Sequence, residues 1–437
     1  MSGRDGLVPP PPVATAARTD RLTSTLTAGA GWTQLADHRS LFAAPPRASR
    51  QPDPSLVDAV QRAGLHGRGG AGFPTAVKLR AVANGRRRPI VLVNGSEGEP
   101  ASAKDALLMS RAPHLVLDGA LLAAAAVGAD RVIVGVKVGA AGARQSIERA
   151  LQERFEAEPW GPRARVVDVP NRYLAGEERA LVNLINRGRA IPPDASTRPF
   201  EHGIDGRPTL VQNVETLAHL ALVRQMGPDA FRAVGHPDAP GTMLVTVGGE
   251  VARPGVYEVA TGHPLQELLR AAGPTEEIGA VLVGGYAGTW LTGEQAASAT
   301  LDREGMAAVG GILGCGAIVV LPASSCGIHE TAGVMRWLAE QTAGQCGPCV
   351  FGLAAIAGAT EDLRIGRVKG DILARLTRWA GDVEGRGACR YPDGAVRFLR
   401  SALQTFANDA YAHALGRRCR ASSRPAVLPL PDVRRAA

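Results

Sequence analysis

Gly67-Arg68-Gly69-Gly70-Ala71-Gly72-Phe73-Pro74-Thr75 is the sharpest local signal in this 437-residue chain. Four glycines between Gly67 and Gly72 let backbone amides approach an anion with no side chain in the way. Pro74 suits the first turn of a following helix, whose N-terminal dipole adds positive potential. Phosphate binding is the chemistry this pattern serves; the plain alternative is a glycine-rich connector. Gly67, Gly69 and Gly72 satisfy Gly-x-Gly-x-x-Gly, but a helix precedes the loop where the Rossmann fingerprint needs a strand. No Gly-Lys-Ser/Thr follows, so it is not a Walker A loop.

Around the loop the pattern alternates. Leu56, Val57, Val60 and Leu65 share a helical face before it. After it come a helix over Pro74–Ala83, a strand over Ile90–Val93, a helix over Leu115–Val127 and a strand over Val132–Val136. A helix over Ala141–Glu156 and a strand over Arg165–Val169 follow. Such alternation implies an α/β domain, here at 55–225. Met243–Val259 reads as strand, turn and return strand, followed by a helix over Pro264–Ala272 and a strand over Ala280–Val283. This is a small α+β unit at 240–325. Helices over Thr331–Gln341, Leu353–Leu363, Asp371–Ala380 and Ala395–Leu415 suggest a helical bundle at 328–415. Residues 1–50 read as a flexible, proline-rich leader and 416–437 as a loose basic tail.

Composition narrows the function. Lys+Arg 49 against Asp+Glu 41 gives +8, yet the arginines are spread along the chain and aromatics are only 4%. Base-stacking surfaces are therefore scarce, and nucleic acid is not an expected partner. Six cysteines are too few for a disulfide scaffold. Met306–Ile328 carries no charge, but five glycines and Pro322 argue for a buried strand at Ala317–Leu321 rather than a membrane span. No apolar signal core opens the chain, so a cytoplasmic location is the expectation, whether free or peripheral to a membrane complex.

Three further polar strings stand out: Asn94-Gly95-Ser96-Glu97-Gly98-Glu99-Pro100 with Lys104-Asp105, Tyr173-Leu174-Ala175-Gly176-Glu177-Glu178, and Asn213-Val214-Glu215-Thr216. The first lies at a strand end, where ligands sit in open α/β sheets. Taken alone, the first also reads as an ordinary solvated turn, and each of the other two reads as structural rather than functional.

Together and in this order, the strings resemble the family of NADH- and FMN-binding (F-type) subunits of respiratory complex I, the NADH-quinone oxidoreductase. The resemblance covers about 55–410, with a soluble ligand-binding β-grasp (SLBB-type) insert and a C-terminal iron–sulfur domain. It implies that Gly67, Arg68, Gly69, Gly70 and Lys78 line FMN, and that Asn94, Glu97, Tyr173, Gly176, Glu177, Asn213 and Thr216 complete its pocket. Phe73, Glu99 and Glu178 would face NADH. The implied activity is NADH oxidation, with electrons passing by way of FMN and an iron–sulfur cluster to a ferredoxin-like or complex I-like partner subunit. Ser96 stands where the family has aspartate, and Ala175 where it has cysteine. Only four residues are lysine, and Lys78 and Lys104 fall inside these strings.

Cys346 and Cys349 pair with the remote Cys389 as cluster ligands, while Ala343 occupies a position where the family has a further cysteine. Three thiolates suit a [3Fe–4S] cluster, or a [4Fe–4S] cluster whose fourth ligand is water or a borrowed side chain such as Cys326 or His329; zinc with a fourth non-thiolate ligand is the other metal they could hold. Cys315 and Cys419 are read as bystanders. Two rival readings remain at this point. One is a non-catalytic scaffold or partner-binding relative of the same fold. The other is a thiol–disulfide oxidoreductase built on Cys346-Gly347-Pro348-Cys349, although Gln345 stands where such enzymes have tryptophan.

Overall fold

The computed structural model describes residues 13–15, 20–25, 32–47, 49–158, 162–193, 198–417 and 424–431. Its first sheet has four parallel strands in the spatial order Arg163–Val169, Arg131–Lys137, Ile90–Gly95, Thr209–Asn213. Ile90, Val91, Leu92 and Val93 are wholly buried, as expected of a strand covered on both faces. On one face the helices Pro113–Val127 and Val214–Met226 pack together. They cross at Gly119, where a methyl group would lie 1.9 Å from the Leu217 carbonyl oxygen. The helix Glu178–Arg187 covers the other face. The chain leaves Ile90–Gly95 toward one edge and returns to its far side as Thr209–Asn213, so a crevice opens at the carboxyl ends of these two strands.

The second sheet is mixed, in the order Val13–Thr15, Gly255–Ala260, Thr242–Gly249, Ala317–Pro322, Ile278–Val283, Thr289–Thr292. Ala317–Pro322 is buried along its whole length and pairs in parallel with Thr242–Gly249. The uncharged stretch Met306–Ile328 thus resolves into a helix end, this strand and the start of the next helix. Among the described residues no single helix is long and apolar enough to cross a membrane. Lys104–Arg111 and Pro113–Val127 form an apolar pair bent by 98°.

The C-terminal part is helical: Gly327–Glu340, Ala354–Ile365, Ile372–Val383, Tyr391–Thr405 and Ala407–Ala414. The single helix expected over Ala395–Leu415 is two, broken at Phe406 (φ −107°, ψ 35°). The break turns the Phe406 ring onto Trp290, 5.1 Å between centroids, and over Gly327, where any Cβ would strike it.

Both ends of the chain correct the reading of a loose leader and tail where they are described. Val13–Thr15 extends the second sheet. The amides of Arg21, Leu22 and Thr23 donate to the buried carboxylate of Glu258 at 2.8–3.0 Å. Arg39 and His38 reach Asp118 at 2.9 and 2.7 Å. At the other end the Val427 and Leu428 amides donate to Glu330, and Tyr286 Oη donates to the Pro429 carbonyl. The remainder of the leader and tail, with Cys419, lies outside the described residues.

Candidate functional site

The crevice is built from the strand ends upward. Asn94 and Asn213 are register partners on the two adjacent strands. The Asn213 carboxamide oxygen caps the Val214–Met226 helix, accepting from Glu215 and Thr216 amides at 3.0 and 3.4 Å. The Asn213 Nδ2 donates to Asp105 at 2.6 Å. Beneath it Lys104, fully enclosed, bridges Asp105 at 2.9 Å and Glu215 at 2.8 Å. Burial alone would raise the Glu215 pKa, but the Lys104 ammonium overrides it and holds the carboxyl at about 2. Glu215 also accepts the Leu244 amide at 2.8 Å, which ties this charged base to the second sheet.

The glycine loop lies over that base. It is pinched shut by Gly67 N–H to Phe73 O and Thr75 N–H to Leu65 O, both 2.9 Å. Gly70 and Gly72 have φ of +112° and +61°, where side chains are strained. A Cβ on Gly69 would sit 3.2 Å from that of Asn213. Among the described residues, the amides of Gly69, Gly70, Ala71 and Gly72 find no backbone acceptor, and the Thr75–Ala83 helix starts directly behind them. Exposed unpaired amides, bare glycine faces and a helix N-terminus are a donor set that fits a phosphate. Arg68 does not share in it. Its side chain is turned inward, donating to Pro240 O at 3.0 Å, while its amide donates to the Thr216 hydroxyl at 2.8 Å.

The far wall comes from the strings at 94–105 and 173–178. Asn94 Nδ2 donates to Gly176 O at 2.8 Å, and Gly98 and Gly176 pack so closely on Tyr173 O and Ser96 Oγ that neither tolerates a Cβ. Glu97 adopts φ +31° and accepts from the Asp105 and Ala106 amides at 3.0 and 2.9 Å, securing the next helix start. Glu177 does the same for Glu178–Arg187, accepting from Arg179 and Ala180 amides. Glu99 is buried in the wall. Its carboxylate accepts from the Ala101 and Tyr286 amides and from the Tyr173 hydroxyl, and burial pushes its pKa up to about 7. Phe73 is 52% exposed, and Lys78 and Glu178 form an ion pair at 3.0 Å.

The contacts tie the expected residues together in pairs: Gly69 lies against Asn213, Arg68 bonds Thr216, Lys78 bonds Glu178, and Tyr173 lies under Gly98. Asn94, Glu97, Gly176, Glu177, Asn213 and Thr216 use their polar groups or close packing to brace the crevice walls. Sequence reasoning missed Lys104–Glu215 as a pair and Tyr286 as the lid on Glu99. The scarcity of lysine was the available signal for the first. It also set aside Cys315, whose backbone lies 3.6 Å from where a Gly70 Cβ would stand.

Cys346, Cys349 and Cys389 meet in the helical part, the first two opening the π-helical turn Pro348–Leu353 and the third on the loop before Tyr391. Burial and the neighbouring Cys346 and Cys389 push the Cys349 thiol up to about 12. Among the described residues the three donors close enough to share one ion are His236, Asp238 and Glu304, not these thiols. A zinc ion bound at about 2.3 Å needs tighter clustering, whereas thiolates set further apart suit a polynuclear cluster. The Cys-Gly-Pro-Cys sequence follows a helix and a turn instead of a strand, so it lacks the thioredoxin setting. Ala343 packs against the helical core.

Three stretches of the chain match known protein families. The family described as Nuo51 FMN-binding domain matches residues 60–222. The SLBB domain matches 244–283, and the NADH-ubiquinone oxidoreductase-F iron-sulfur binding region matches 329–413. The second F-type subunit of the NADH-quinone oxidoreductase of Rhizobium meliloti is 30% identical over 378 residues, 83% of this chain and 90% of that protein. The chain belongs to the family of NADH-quinone oxidoreductase F-type subunits. The F-type subunit of Mycobacterium tuberculosis is 29% identical over 399 residues, covering 87% of this chain and 89% of that one. Among solved structures, an NAD+-reducing [NiFe]-hydrogenase in its H2-reduced state superposes with a TM-score of 0.78 at 31% identity. That match covers 83% of this chain and 63% of the hydrogenase chain. Along this chain the three matches run in the order FMN-binding domain, SLBB domain, iron–sulfur binding region.

Proposed function

We propose that this protein is an NADH-oxidising flavoprotein subunit that hands electrons to a partner electron-transfer protein. The carrying observation is the glycine loop, whose unpaired amides stand over the strand-end crevice inside a matched FMN-binding domain. Bound there, FMN supplies hydride acceptance and one-electron release, and an iron–sulfur cluster at the thiols supplies one-electron transport.

The chain's own residues supply the rest. The amides from Gly69 to Gly72 and the Thr75–Ala83 helix N-terminus hold the phosphate. The Phe73 ring offers a flat apolar face to a nicotinamide or adenine. Lys78, paired with Glu178, brings an ammonium that favours negative charge developing in the crevice. Glu99, buried against the Tyr286 amide, has its pKa pushed up to about 7 by burial, close to neutrality. Cys346, Cys349 and Cys389 are the cluster ligands, with Ala343 leaving one iron without a local thiolate. Val350 and Phe351, 42% and 75% exposed beside Cys349, support docking of a ferredoxin-like or complex I-like partner there. The cytoplasmic location expected from the sequence goes with this reading.

The test is anaerobic titration of the purified protein with NADH. The expected outcome is bleaching of the flavin band together with bound iron and acid-labile sulfide, the latter two lost in Cys389→Ser. A flavin-loaded protein left fully oxidised by excess NADH points instead to the scaffold reading.

A further inference from the structure

A cavity of about 270 Å³ lies in the helical part, lined by none of the crevice residues or cluster thiols. His329, Glu330, Gly333 and Arg336 approach it from one helix, Arg364 from the next, and Leu430 from the C-terminal segment that closes it. Its two nearby carboxylates are already committed. Glu330 accepts the Val427 and Leu428 amides at 2.9 and 3.0 Å, and Glu361 takes two hydrogen bonds from Arg364 at 2.8 and 2.6 Å. Arg336 is exposed and near enough to Glu361 to help hold that carboxyl below its ordinary pKa, with no hydrogen bond to it, and the buried Nδ1 of His329 has no partner. One exposed guanidinium, a second paired with Glu361, and an imidazole nitrogen without a partner face one cavity, and a small oxyanion can accept from all three when Nδ1 carries the ring proton.

We propose that this cavity binds a small phosphate-type oxyanion, held by Arg336 and Arg364 and by the ring of His329 beneath the 424–431 strap. Arg336 contributes the planar fork that matches phosphate geometry, and Arg364 adds charge from the opposite wall. The strap presses onto the same helix, since a Cβ on Gly333 would stand 3.2 Å from Leu430. Occupancy therefore favours the docked strap.

The test uses FMN-loaded full-length protein in buffer free of phosphate and sulfate, titrated by calorimetry with inorganic phosphate and, separately, glycerol 3-phosphate. Saturable binding of one of them is expected, with slowed amide exchange at 424–431; whichever binds tighter distinguishes a free phosphate from a phosphate ester. Arg336→Gln should weaken binding by about tenfold and abolish the slowing, as one charge-assisted fork is lost, while the exposed control Arg149→Gln changes neither. No saturable heat up to about 10 mM overturns the proposal. So does binding left unchanged in Arg336→Gln, which places the anion elsewhere on the protein.

Discussion

At Gly69 a side chain has nowhere to go except into Asn213 or across the amides that face the crevice. Gly69→Val places two methyl groups there. Flavin affinity should fall at least about tenfold, or about 1.4 kcal/mol, measured as FMN retained after gel filtration. Retention equal to wild type means the phosphate sits elsewhere. Glu99 makes a different argument. Its carboxyl is pushed up to about 7 by burial, against an ordinary value of 4.5. Between those values the folded state binds a proton that the unfolded state has lost, so stability falls as pH rises through this window. The decline amounts to about 3 kcal/mol at most, since 1.36 kcal/mol attends each pKa unit. Unfolding midpoints from pH 4.5 to 8 should show this slope, and Glu99→Gln should flatten it.

At the scale of elements, the strings that identify the site are mostly helix starts. Glu177, Asn213 and Glu97 each receive amides from the first turn of a helix, so acids and amides that look like ligands are first of all caps. Glu177→Ala should cost the apoprotein about 1 kcal/mol in urea unfolding, before any flavin is added. An apoprotein of unchanged stability would falsify the cap. The glycine loop and the buried strands were legible because bare backbone and unbroken Val/Ile/Leu runs are local properties. The strand Thr209–Asn213 was not read, being five residues with polar ends. The break at Phe406 was equally hidden, because the ring contact that goes with it, to Trp290, lies more than a hundred residues away in sequence. The docked ends depended on the lone acids Glu258 and Glu330, whose partners are amides and leave no mark on composition.

For the whole molecule, the joint between the α/β domain and the helical part rests on Tyr173. Its ring meets Trp337 and Tyr391 edge-on, with centroids 5.5 and 5.6 Å away, and its amide donates to Gln341 at 3.0 Å. Its hydroxyl reaches Glu99, which also accepts from Tyr286 in the second sheet's module. One side chain thus touches the crevice wall, the small module's lid and, through Tyr391, the loop that carries Cys389. This arrangement separates two effects that a pair of variants can read. Tyr173→Ala removes the ring and should cost about 3–5 kcal/mol, lowering the unfolding midpoints of the flavin and iron–sulfur parts together. Tyr173→Phe keeps the ring contacts and should leave the joint intact. It deletes only the hydroxyl that lowers the Glu99 pKa, so the carboxyl should rise further above about 7 and the loss of stability should move to higher pH. If Tyr173→Phe instead loosens the cluster as much as Tyr173→Ala does, the hydroxyl and not the ring packing joins the domains.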